Sequence, residues 1–180
     1  TSKDTTVIGN ISKQMDIDKL VSYIGYLPPE KLYECYSILK PFKQGVNKYY
    51  NLVENIDNES FVQNFLRIEK WLYDTPPIAG ETIKQWINDI YKKNLLVKNQ
   101  FRLGTAIVNL KNINVPLLNI VAEEDHLVSP ECSVPLNEVV SSEDKRLIRF
   151  HTGHVGLIAS SYSQNNVLPK VGQWIKSRST

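Results

Sequence analysis

In the first half of the chain, apolar residues recur at intervals of three and four, the spacing that lines one face of a helix. Ile17, Leu20, Val21 and Ile24 form the first such face behind Asp16, and it stops at Gly25 and Pro28-Pro29. Leu32, Tyr36 and Leu39 predict a short second helix ended by Pro41, because a proline pushes the residue before it out of helical geometry. Val46, Tyr49, Val53 and Ile56 predict a third. A fourth starts near Glu59, with Phe61, Phe65, Ile68 and Leu72 on its buried side, and closes at Asp74-Thr-Pro-Pro. The fifth is the most regular: Ile83, Trp86, Ile87, Ile90 and Tyr91 share one face, and Lys84, Gln85, Asn88, Asp89 and Lys92 cover the other.

After residue 100 the period changes. Phe101, Leu103, Ile107 and Val108 flank the turn signal Gly104-Thr105 and predict a short extended pair. Val115 to Val121 is a nearly continuous apolar run, as expected of a strand covered on both faces of a parallel sheet. A short helix across Pro130 to Val140, a strand over Arg146 to Phe150 and a closing helix carrying Val167, Val171, Trp174 and Ile175 complete the pattern. Strand, helix, strand, helix at this length predicts a parallel α/β unit. Two strands cannot bury their own faces and edges, so this block reads as the last third of a larger sheet.

Composition narrows the function classes. With 180 residues, 42% hydrophobic and 22% charged, the chain has the makings of a folded core rather than a disordered segment. Lys and Arg number 21 against 19 Asp and Glu, so the one-sign field that nucleic acid binding needs is missing. No run approaches the roughly 20 apolar residues of a membrane span. The start, Thr1-Ser-Lys-Asp-Thr-Thr, has no apolar signal core and no Met, and predicts a processed or excised beginning rather than a secretory leader. Two widely separated cysteines, Cys35 and Cys132, fit a reducing cytoplasm better than a disulfide or metal framework.

The candidate chemistry lies in two loops. Asp125 and His126 follow the apolar strand, and His154 follows the next one within Gly153-His-Val-Gly156. These are the carboxyl ends of strands, where open α/β sheets place their working residues. An acid after one strand and a histidine after the next is the order of the second and third members of an α/β-hydrolase triad. A carboxylate that accepts the Nδ1 proton fixes the imidazole tautomer and stabilises the imidazolium formed when the ring takes a proton. Gly153 and Gly156 would let the loop turn tightly, and His126 would shape the site or cap a loop. The plainer alternative is that Asp125 caps the following helix and His154 is a turn histidine. No Gly-x-Ser-x-Gly or Gly-x-Cys-x-Gly elbow occurs. Cys35 has the right chain order for a nucleophile but no glycine frame, and reads as a buried apolar cysteine. Cys132 lies after the acid, and Ser160 and Ser161 also lack the frame. Trp71, Trp86 and Trp174 fall on apolar faces that predict core packing, while His151 and Lys92-Lys93 read as solvated surface.

Asn64 to Glu81, Asn94 to Lys98, Leu110 to Val128 and Gly153-His-Val-Gly156, with Asp16-Ile-Asp-Lys and Leu39-Lys-Pro-Phe upstream, resemble the catalytic subunit of two-component poly(3-hydroxyalkanoate) synthases over nearly the whole chain. The resemblance implies the carboxyl-terminal part of an α/β-hydrolase fold with a helical cap. Residues 1–10 would be an amino-terminal extension, 11–94 the cap region and 95–180 the closing part of the catalytic lobe. It further implies that His154 is the general base and Asp125 its partner, serving a cysteine acylated by a 3-hydroxyacyl-CoA substrate that feeds a growing polyester chain, with no metal or other cofactor. An accessory subunit, a homodimer formed through the cap, and a cytoplasmic location at the surface of polyester granules belong to the same expectation. By the same resemblance, the elbow cysteine is expected in an amino-terminal half that precedes the matching segments, outside this sequence. Two other readings remain open at this level: a noncatalytic dimerisation or binding module derived from the fold, and part of a serine-type α/β-hydrolase.

Overall fold

The computed structural model describes residues 6–32, 34 and 42–179. The chain divides into two compact units, Asp16–Trp86 and a second made of Thr1–Met15 with Ile87–Thr180.

The Asp16–Trp86 unit begins where its sequence predicts. Helix α2 (Ile17–Ile24) is capped by the Asp16 carboxylate, which accepts from the Lys19 N–H at 3.1 Å, and it buries Ile17 and Val21. Gly25 ends it with φ +67°, a left-handed conformation that side chains with a Cβ resist. The following strand β1 (Tyr26–Leu27) pairs antiparallel with β2 (Ile78–Ala79), and Gly80 then donates to Gly25 O at 3.1 Å. A Cβ on Gly80 would overlap Gly25 O and Val21 Cγ1, so the approach of these segments requires glycine there. The predicted positions Cys35, Tyr36, Leu39 and Pro41 lie outside the described residues.

Helices α3 (Phe42–Glu54) and α4 (Glu59–Tyr73) form where the periodicity places them, and Asn58 caps α4 by accepting from Phe61 N–H at 3.1 Å. Lys48 and Glu69 join the two helices at 2.7 Å, with side chains only 24% and 15% exposed, and the Lys48 ammonium sits 4.8 Å from the Tyr49 ring centroid. The apolar faces of this pair are less covered than the sequence predicts. Phe65, Ile68 and Leu72 are half-buried, no residue of α4 is fully buried, and Val53, Ile56 and Trp71 are exposed. A stripe of apolar residues specifies a helix but leaves its covering to other elements. Trp71 therefore departs from the core position expected of it.

The predicted fifth helix begins as α5 (Gly80–Gln85), with Ile83 buried, and widens into a π-helical run, Trp86–Lys92. The i to i+5 bonding of that run changes the helical period. Ile87 stays buried while Trp86 is 40% exposed, a second departure from core packing.

In the other unit, helix α1 (Val7–Gln14) starts in the segment read as an extension (1–10) and runs on into the region read as cap, and it is capped by Thr6, whose hydroxyl accepts from Gly9 N–H at 3.2 Å. Lys92 donates to Met15 O at 2.6 Å, so it is not the free surface lysine its sequence suggests. Strands β3 (Arg102–Leu103) and β4 (Ala106–Ile107) make the predicted hairpin, with Gly104 at φ +57°.

The centre of this unit is β5 (Leu117–Ala122), parallel to β6 (Lys145–Phe150), in register from Leu117 opposite Lys145 to Ala122 opposite Phe150. Asn119 and Val121 on one face and Ala122 on the other are buried, whereas Leu117 on the first face and Leu118 and Ile120 on the second are half-buried, so neither face is covered along its whole length in the way the apolar run predicts. The predicted helix over 130–140 is two short ones, α6 (Pro130–Ser133) and α7 (Leu136–Val139). Pro135 stands between them, and its missing N–H breaks continuous helical bonding. After β6 come a 3-10 turn (Val155–Leu157), a π-helical turn (Ser163–Val167) and α8 (Leu168–Lys176). Among the described residues the architecture is helices with small sheets, of which β5 and β6 form a parallel pair.

Candidate active site

Parallel pairing in register brings the carboxyl ends of β5 and β6 side by side, and the pairing continues past the strands. Glu123 N–H donates to Phe150 O at 2.9 Å and Glu124 N–H to Thr152 O at 3.1 Å. The loop that carries Asp125 is thereby laced to the loop that carries His154 before either side chain is considered.

The Asp125 carboxylate divides its two oxygens. Oδ1 accepts from the N–H groups of Leu127 at 2.9 Å and Val128 at 2.8 Å, closing the turn that follows β5. Oδ2 lies 2.7 Å from His154 Nδ1. The aspartate does not cap α6, which begins at Pro130 behind Ser129. Its side chain is 7% exposed and that of His154 is 44% exposed, so an almost buried carboxylate holds a ring that solvent reaches. With Nδ1 given to Asp125, Nε2 has no partner among the described residues and is free to take or give a proton. This is the geometry in which a carboxylate orients an imidazole for acid-base work.

Local backbone explains the turn at Gly156. A Cβ there would overlap Thr152 Oγ1, because the 3-10 turn folds back over Thr152. At Gly153 a Cβ would stand 3.8 Å from Glu124 O, an ordinary contact, so the close approach belongs to 156 and not to 153. His126 is exposed and makes no hydrogen bond among the described residues. His151 is a surface residue, 79% exposed, with Nε2 2.9 Å from Glu124 Oε1.

Among the described residues, none beside the pair offers a nucleophile in an elbow. Cys35 lies outside the described residues. Cys132 Sγ is 3.5 Å from Ser129 Oγ and faces a cavity of about 380 Å³ that is also bordered by Asn94, Asn119 and Leu136, and by neither Asp125 nor His154. Among the described residues no three metal-ligating side chains cluster, and no helix is long and apolar enough to cross a membrane.

Buried polar ties behind the site escaped sequence reading. Asn119, inside β5 and 8% exposed, donates through Nδ2 to Ser133 O at 2.9 Å and to Asn137 Oδ1 at 2.7 Å, tying α6 and α7 to the strand that leads to Asp125. Its one signal was a lone amide in an apolar run.

No family model matches the chain, and no solved structure matches it. Curated relatives do. A protein of Haloferax mediterranei described as poly(3-hydroxyalkanoate) polymerase subunit PhaC is 44% identical over 155 residues, 86% of this chain and 32% of the relative. A protein of the same description from Thiocystis violacea is 40% identical over 167 residues, 93% of this chain and 47% of the relative. A third, from Synechocystis, is 35% identical over 168 residues, 93% of this chain and 44% of the relative. The chain thus spans about a third to a half of the length of these relatives. Matches of this identity, running through both units and including the stretch that holds Asp125 and His154 together, place the chain in the family of poly(3-hydroxyalkanoate) polymerase PhaC subunits.

Proposed function

We propose that this chain supplies the acid-base pair of a poly(3-hydroxyalkanoate) synthase, with His154 as general base and Asp125 as its orienting partner. The observation that carries this reading is the 2.7 Å contact between Asp125 Oδ2 and His154 Nδ1 at the ends of two parallel strands. In this reading β5 and β6 are the closing strands of an α/β-hydrolase-like sheet, and the helical region before them is its cap. The acid-then-histidine order at consecutive strand ends supports it.

His154 Nε2 takes the proton of a cysteine thiol supplied by the rest of the catalytic lobe. The thiolate attacks the thioester carbonyl of a 3-hydroxyacyl-CoA, and CoA leaves with a proton returned from the imidazolium. The same nitrogen then accepts the proton of the incoming 3-hydroxyl as it attacks the acyl-enzyme, extending the polyester by one ester bond and regenerating the thiol. Both steps are acyl transfers without redox change, and the imidazole handles the protons, so the chemistry calls for no metal or cofactor beyond the CoA substrate. The exposed helical faces of α3 and α4 support a contact role for the cap, toward an accessory subunit or a second copy, and the product places the protein at a polyester surface in the cytoplasm.

The test is made in a synthase of the relatives' length that carries this chain, following CoA released from 3-hydroxybutyryl-CoA. His154→Ala lowers turnover by about 10⁴-fold, while His151→Ala keeps most of it. Equal losses in the two variants contradict the role given to His154.

A further inference from the structure

Among the described residues the imidazole of His154 makes one side-chain hydrogen bond, to Asp125, and its side chain is 44% exposed. Its position therefore depends on the backbone of the 3-10 turn Val155–Leu157 that starts immediately after it. Two serines downstream hold that turn. Ser160 Oγ donates to Gly156 O at 2.6 Å and accepts from Ser163 N–H at 3.0 Å. Ser163 Oγ, in a residue with no exposed surface, donates to Leu157 O at 2.6 Å. Two successive carbonyls of the turn are thus each bound by a serine hydroxyl, and the two serines are bound to each other.

A 3-10 turn of three residues makes few bonds of its own, so these carbonyls need partners from elsewhere. A buried hydroxyl spent on a loop carbonyl costs packing volume that an apolar residue would fill, which makes the pair an arrangement for holding one loop geometry. Neither serine approaches Asp125 or His154 through any hydrogen bond, and neither has the glycine frame of a nucleophile. We infer that Ser160 and Ser163 form a clamp that positions His154 for proton transfer, acting through the backbone at 156 and 157. This inference rests on the proposed role of the Asp125–His154 pair. Ser160 is a positioning residue: it touches no reacting atom, and its removal displaces the base without altering substrate contacts.

The test uses a synthase of the relatives' length carrying this chain, with kcat and KM for 3-hydroxybutyryl-CoA measured from CoA release. Ser160→Ala is expected to lower kcat by about ten- to a hundredfold, the range that a displacement of about 1 Å produces in a catalytic group, with KM within about twofold of the parent. Ser160→Thr keeps the hydroxyl at a half-buried position and should restore kcat to at least half of the parent value. Ser163→Ala should repeat the kcat loss. If that fully buried change prevents folding, the Ser160 pair decides alone. An unchanged kcat in Ser160→Ala overturns the clamp, and so does an equal loss in Ser160→Ala and Ser160→Thr. A His154→Ala variant run beside them separates the two ideas: if it retains turnover, the acid-base reading fails, whereas its loss together with a normal Ser160→Ala leaves that reading standing and removes only the clamp.

Discussion

At the scale of single residues, Asp125 combines two jobs that one substitution can separate. Its Oδ1 closes a turn by accepting from Leu127 and Val128, and its Oδ2 meets His154. Asparagine keeps an oxygen for the turn but presents the wrong group to Nδ1, so Asp125→Asn should lower turnover by about 10⁴-fold and leave the melting temperature nearly unchanged. Asp125→Ala removes the turn acceptor too and should cost a further 1–3 kcal/mol or so of stability. Parallel activity assays and thermal melts of the two variants check this; a large loss of stability in the asparagine variant contradicts the division of labour. The pair itself was legible in the sequence because an acid and a histidine each followed a predicted strand. The close approach at Gly156 and the surface character of His151 were partly legible. The serine hydroxyls were not, because hydrogen bonds to loop carbonyls leave no periodic trace.

At the scale of elements, periodicity specified helices more faithfully than it specified their burial. Helices α2, α3 and α4 lie where three-and-four spacing places them, yet Trp71 and Val53 are exposed, since the same stripe serves a core face or a contact face. The run from Gly80 to Lys92 switches to π-helical bonding at Trp86, a change in period that no hydrophobic count detects. α1 also carries a helical stripe, Val7, Ile8, Ile11 and Met15, behind the Thr6 cap, but the stripe is short and lies in a segment read as an extension. Strands β5 and β6 were found, but the amide of Asn119 that ties α6 and α7 to β5 was not distinguished from an interruption. Asn119→Ala should leave Ser133 O and the Asn137 side chain without that donor. The cost is about 1–3 kcal/mol, or roughly 2–4 °C in melting temperature for each kcal/mol. Differential scanning calorimetry of the variant checks it, and an unchanged melt contradicts the structural role of the amide.

At the scale of the whole molecule, the carboxyl-terminal region is tied to the start of β6 by charge. Arg178 reaches Asp144, with Nη2 2.8 Å from Oδ1, and its guanidinium stacks 4.3 Å from the Trp174 ring centroid. The hydrogen bond from Arg178, then its charge, outweigh desolvation and hold the Asp144 carboxyl below its ordinary value of 3.8. A carboxylate whose folded pKa is lowered contributes stability fully above its unfolded value, and loses it as pH falls through the lower folded value. Both side chains are partly exposed, so the contribution is small. Asp144→Asn should therefore reduce the melting temperature slightly at pH 7, and the difference from the parent should vanish as the pH falls below about 4; a difference that grows in acid contradicts the assignment. The family could be read from motifs spread along the chain, which spans only about a third to a half of its relatives. In the proposed function, Asp125 and His154 act as one unit in acyl transfer. A double-mutant cycle tests it most directly, measuring CoA release by Asp125→Asn, His154→Ala and the double variant in a synthase of the relatives' length. If the aspartate acts only through the imidazole, as proposed, the double variant is no slower than His154→Ala alone; losses that multiply would rule this out.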